Sequence, residues 1–237
     1  MLVELNVSND QQVHWLSIAN GQIVKRVEEG TPGAKSRINK VGNMVWEKFF
    51  QSVVGRITSI NVEVNKFEQK EIKIGIEDEQ NKAVLTVNFN SSYGRSLLEQ
   101  IFNVDLTKNI IFTPWLKVTE DGKKISRLYL SYGKGQKVEM KFPDGTPEIK
   151  WVKVKGKDII DSVSQAEHEA FLDEKLEEFI QKNNLHYQKS EAELAQDEIN
   201  RPLDVDEEKE LKMMKKAAKK SKKDDEDFDH FDELFQD

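Results

Sequence analysis

Glu71-Ile72-Lys73-Ile74-Gly75-Ile76-Glu77 and, after a polar turn at Glu79–Lys82, Ala83-Val84-Leu85-Thr86-Val87-Asn88-Phe89-Asn90 decide the fold. In the first run Ile72, Ile74 and Ile76 alternate with Glu71, Lys73, Gly75 and Glu77. In the second, Leu85, Val87 and Phe89 alternate with Val84, Thr86 and Asn88. A period of two places one set on each face of a strand, so both runs predict half-buried β-strands joined by a short turn. Upstream, Val53–Lys66 is long and β-branched and repeats the alternation at Ile60, Val62 and Val64, making the first strand of a meander. Downstream, Ser91 or Ser92 caps a helix whose stripe is Leu97, Leu98, Ile101 and Phe102. Strands are then expected over Asn109–Val118 and Ile125–Tyr132 around an Asp121-Gly122 turn, with shorter ones at Val138–Phe142 and Ile149–Lys155.

Three strands, a helix and two strands form the element order of an OB-fold, a small Greek-key barrel. An α+β sandwich has the same content, but a long first strand able to bend at Gly55 and serve two sheets favours the barrel. The expected fold is mainly β. It has an N-terminal hairpin extension and basic loop (1–45), an OB-fold domain (46–158), a C-terminal helix (159–186) and a disordered charged tail (187–237). Within the extension, Leu2–Val7 reads as a strand, and Val13–Ile18 and Gln22–Val27 flank Asn20-Gly21, a strong hairpin turn. Glu28–Gly42, punctuated by glycine and proline, reads as a loop.

The formal charge of -7 hides an asymmetry. Asp224–Asp237 holds eight acids and no Lys or Arg; without them 36 basic residues face 35 acidic ones, and Met1–Ala166 has 24 basic against 20 acidic. Before the acids, Lys209–Lys223 holds eight lysines and one acid. Like-charge blocks of this length stay solvated. Phe228, Phe231, Leu234 and Phe235 nonetheless sit among the acids at i, i+3, i+6 and i+7, a helical stripe suited to a partner protein.

Catalysis has little support. His14, His168, His186 and His230 are scattered, there is no cysteine, and Tyr132-Gly133-Lys134-Gly135-Gln136 lacks the spacing of a phosphate-binding loop. No metal and no cofactor are expected. The N-terminus has no signal-peptide pattern and no apolar run approaches 18 residues, so a cytoplasmic protein without membrane contact is expected.

Single-strand binding fits the pattern better, since it uses a cationic groove for phosphates and flat side chains for bases. If Leu128 and Leu130 face the core, Arg127 and Tyr129 share the outer face, beside Lys134 and Lys137. Trp115 shares a face with Lys117, Lys73 lies on the outer face of its strand, and Trp151 stands among lysines. Lys35, Arg37 and Lys40 recur in an acid-free stretch. Phosphate contacts are therefore expected at Lys35, Arg37, Lys40, Lys73, Arg127, Lys134 and Lys137, and base stacking at Trp115, Tyr129, Tyr132 and Trp151. Each ring in a strand is more often core than platform; co-location of rings and cations raises the joint case.

A cysteine-free OB-like core followed by a charged linker and an acidic, aromatic-ended tail (Asp224–Phe235) resembles the single-stranded DNA-binding proteins of tailed bacteriophages, as does Lys35–Phe50 before the barrel. The resemblance implies coating of single-stranded DNA in replication, recombination and repair, in the host cytoplasm. It also implies recruitment of replication proteins such as a polymerase or helicase through the tail, and allows a homo-oligomer. Some phage members carry a Cys/His zinc insert, and this chain has no cysteine to build one. Two alternatives stand beside it: an acidic-tailed interaction scaffold or chaperone, and an RNA-binding OB-fold protein.

Overall fold

The structure is a computed structural model and describes residues 13–39, 42–79, 81–154 and 157–186. The strands are β1 (Val13–Ala19), β2 (Gln22–Val27), β3 (Lys35–Ile38), β4 (Met44–Phe50), β5 (Val53–Val64), β6 (Lys70–Glu77), β7 (Lys82–Asn88), β8 (Ile110–Val118), β9 (Lys124–Tyr132), β10 (Gln136–Lys137), β11 (Trp151–Val154) and β12 (Lys157–Ile160). Two helices, α1 (Ser92–Ile101) and α2 (Ser162–Lys182), join them. The chain is mainly β, as the alternation implies. Ten strands form one mixed sheet in the order β10-β9-β8-β5-β6-β7-β1-β2-β4-β3, while β11 and β12 form a separate ribbon.

The meander pairs as its alternation requires. Ile74 sits opposite Ile60 on β5 and Leu85 on β7, all fully buried. The first hairpin turns at Asn20 and Gly21, both at positive φ (50° and 75°), as a two-residue hairpin loop of the primed type demands. It is not an appendage: β1 pairs with β7 in parallel, and Leu16 and Ile23 enter the main core.

The sheet is not a closed barrel, which corrects the expected architecture. Closing β5, β6, β7, β8 and β9 would require β7 to pair with β9. The free edge of β7 is instead occupied by β1. That of β9 is taken by β10 at Ser131 and Tyr132 and, beside it, by α1: the Leu128 N–H donates to Ser96 Oγ (2.7 Å), the Leu130 N–H donates to Gln100 Oε1 (2.8 Å), and Gln100 Nε2 donates to the Leu128 carbonyl (2.7 Å). Both edges are satisfied, so neither seeks the other.

Chain connectivity still forces the sheet to curl. Five flat ladder steps from β5 to β4 would span about 24 Å, yet β4 ends at Phe50 and β5 begins at Val53, a gap extended chain covers in about 11 Å. The curl brings Gly21 against Leu116 of β8, where a Cβ on Gly21 would lie 2.8 Å from the Leu116 Cβ. α1 and α2 line the same core; Leu172, Leu176 and Ile180 of α2 join it, and Phe179 meets Phe102 edge-on at 5.8 Å.

Three further expectations are corrected. The stretch read as a loop contains β3, whose four residues are all exposed and carry no hydrophobic period. Val138–Phe142 forms no strand; β10 ends at Lys137. The last alternating segment is β11 of the separate ribbon, paired only with β12. The Leu2–Val7 strand lies outside the described residues.

Candidate nucleic-acid interface

β8 and β9 make the strongest candidate surface. Their register sets Phe112 opposite Leu130 and Pro114 opposite Leu128, all buried. The intervening positions then point outward: Thr113 opposite Tyr129, Trp115 opposite Arg127, Lys117 opposite Ile125. Pro114 is tolerated within a strand because the ladder from β8 to β5 covers only Ile110–Phe112, so no N–H is needed there. Trp115 remains 39% exposed, and its ring meets that of Tyr129 edge-on with centroids 6.4 Å apart. Arg127, Lys117 and Lys124 are exposed and form no ion pair among the described residues. Lys123, in the turn, is held by Asp121 at 3.0 Å. The Thr119 hydroxyl first, and Lys123 second, keep the Asp121 carboxyl below its usual range. The surface therefore presents two flat rings with uncompensated positive charge beside them.

The other expected residues scatter. Lys73 does lie on the outer face of β6, but it is ion-paired to Glu63 and its Nζ sits 5.5 Å from the Trp15 ring. It pairs in register with Asn61, whereas β5 meets β8 only at Val53–Gly55. Six residues from Gly55 to Asn61, and five from Ile110 to Trp115, place Lys73 roughly 36 Å of strand path from the ring pair. Lys73 on β6 and Arg127 on β9 stand three ladder steps apart in the strand order β9-β8-β5-β6.

Arg37 is committed elsewhere. Its Nε and Nη2 donate to the two Glu47 oxygens at 2.7 Å each, and Glu47 is 3% exposed. That bidentate hydrogen bonding raises the guanidinium pKa further. Lys35 faces Glu47 from the same edge strand and is exposed. Tyr132 is a correction: it shares parity with Leu128 and Leu130, so its ring packs against the core. Its hydroxyl accepts the Asp105 N–H at 2.6 Å, and Lys108 Nζ lies 5.2 Å from the ring. Lys134 belongs to a 3-10 turn at Gly133–Gly135, and Lys137 is exposed on β10. Trp151 is 64% exposed on the β11–β12 ribbon, opposite Ile160 and apart from the ten-stranded sheet. Lys40, Phe228, Phe231, Leu234 and Phe235 lie outside the described residues.

Trp15 is an exposed ring outside the expected set. It is 45% exposed on β1, and its alternation with the buried Leu16 is the sequence signal for it. Among the described residues no group of three His, Asp or Glu side chains converges as a metal site, and no helix is long and apolar enough to cross a membrane. Comparison of the chain with protein-family models, with curated proteins and with solved structures finds no match.

Proposed function

We propose that this protein binds single-stranded DNA through the outer face of β8 and β9. The observation that carries the reading is the Trp115–Tyr129 ring pair flanked by Arg127 and Lys117, which form no ion pair among the described residues. Rings on an open strand face suit unstacked bases, because a duplex hides its base faces; each stacked base contributes about 1–3 kcal/mol with little sequence preference. The flanking cations supply a salt-dependent attraction to phosphate. In this reading β5-β6-β7-α1-β8-β9 is an open relative of the OB-fold, with β1 on one and β10 and α1 on the other of the edges that barrel closure would join. The protein coats single strands during replication, recombination and repair, and the acidic tail recruits a polymerase, helicase or similar partner through Phe228, Phe231 and Phe235.

Titrating the full chain with oligo-dT at low salt while following intrinsic tryptophan fluorescence tests the reading. Saturable quenching that Trp115→Phe reduces is expected. No binding at low salt rejects the function, and tighter binding of matched RNA redirects it to RNA.

A further inference from the structure

Arg95 stands on α1, and Lys124 and Arg127 on β9, yet the three line one cleft of about 320 Å³ between helix and strand. All three are exposed and none is ion-paired among the described residues; Glu99 is the single acid on the cleft wall. Three cations against one acid leave the cleft wall with a net positive charge, which is unfavourable in the free protein and makes the cleft a receptor for an anion. Two of the three are arginines, whose planar forks match the oxygens of a phosphodiester two at a time. The Ser92 and Ser126 side chains on the wall add neutral donors.

The cleft adjoins the ring pair. Arg127 is the register partner of Trp115, and directly opposed residues of an antiparallel pair stand about 5 Å apart. A base stacked on Trp115 would thus carry its own phosphate to Arg127, at the mouth of the cleft. We propose that the sugar-phosphate backbone leaves the ring pair across β9 and enters this cleft, where Arg95 and Lys124 hold the next phosphate. The proposal rests on the single-strand reading above and adds Arg95 and Lys124 to the site, together with a strand path running across β9 toward α1.

The test compares oligo-dT binding by the full chain, Arg95→Gln, Lys124→Gln and, as a matched loss of one distant charge, Lys182→Gln on the exposed last turn of α2. Affinities are measured over a salt series, and thermal melting confirms that each variant folds. A contacted phosphate contributes about 0.7 to the slope of log affinity against log salt for single strands. Arg95→Gln and Lys124→Gln are each expected to lower the slope by about that amount and to weaken binding several-fold at low salt, with Lys182→Gln close to the parent. Parent-like slopes for Arg95→Gln and Lys124→Gln would overturn the cleft while leaving the ring-pair reading intact. Absence of oligo-dT binding by the parent itself would remove both.

Discussion

Tyr129 and Arg127 are two residues apart on one strand face, and in the proposed interface their chemistry divides the work. A ring gives stacking without net charge; a guanidinium gives charge without an extended apolar face. Tyr129→Ala is therefore expected to weaken oligo-dT binding by about 1–3 kcal/mol with little change in salt slope, read from parallel titrations at several salt concentrations. A slope change as large as that of a cation variant would place Tyr129 outside the stacking role. Parity alone located this pair and Trp115. The same parity assigns Tyr132 to the inner face with Leu128 and Leu130, and expecting it as a platform set composition above period. A second residue reports on pH. The Thr107 hydroxyl, followed by Lys108, lowers the Asp105 carboxyl to about 2. A depressed carboxylate stabilises the fold above its unfolded value near 3.8 and ceases to do so as pH falls through about 2. The melting temperature of the parent should exceed that of Asp105→Asn at pH 5, and the gap should close progressively toward pH 2. A gap constant across that range would show that the ionised carboxylate is not its source.

The helix α1 is the element on which the proposed interface depends, because it holds part of the edge of β9. Gln100 is buried and bonds both the Leu128 carbonyl and the Leu130 N–H. Gln100→Ala leaves both backbone groups without partners, at about 1–3 kcal/mol for each unsatisfied buried group. Denaturant unfolding should show a loss of several kcal/mol; a loss below about 1 kcal/mol would mean that another group reaches that edge. Gly94 reverses a common rule. In an open helix Gly→Ala stabilises by about 1 kcal/mol, but here a Cβ would run into the carbonyl oxygens of Asn88 and Phe89. Gly94→Ala is expected to destabilise by about 1–3 kcal/mol, the range for forced overpacking, again read by denaturant unfolding. The helix itself was legible from Ser91, whose Oγ accepts the Gly94 N–H at 3.0 Å, and from its apolar stripe. Its role at the β9 edge was not, since Ser96 and Gln100 look in sequence like ordinary polar positions. β3 was illegible for a related reason: Lys35-Ser36-Arg37-Ile38 is held by pairing to β4 and by the Arg37–Glu47 contact, with no buried period to announce it.

For the whole molecule, charge separation along the chain sets the expected behaviour. Removing Asp224–Asp237 changes the formal charge from -7 to +1 by deleting eight acids. If that segment competes electrostatically with nucleic acid, the truncated chain should bind oligo-dT more tightly at low salt, and the difference should shrink as salt screens both interactions. Equal or weaker binding by the truncated chain would reject competition. The β class, most strand and helix positions, the first hairpin turn, the outward parity of Trp115, Arg127 and Tyr129, and the charge asymmetry are all legible in the amino-acid order. Each follows from neighbours within a few residues, where period, capping and turn chemistry act. Long-range packing sets β1 on the edge of β7, and β10 and α1 on that of β9, so that the sheet curls without closing. It alone set Lys73 beside Trp15 and Glu63, far along the strand path from Arg127, and put Arg95 into the cleft with Arg127. Those outcomes turn on which hydrogen-bonding edge finds which partner across tens of residues, and alternation within a strand carries no information about its neighbours.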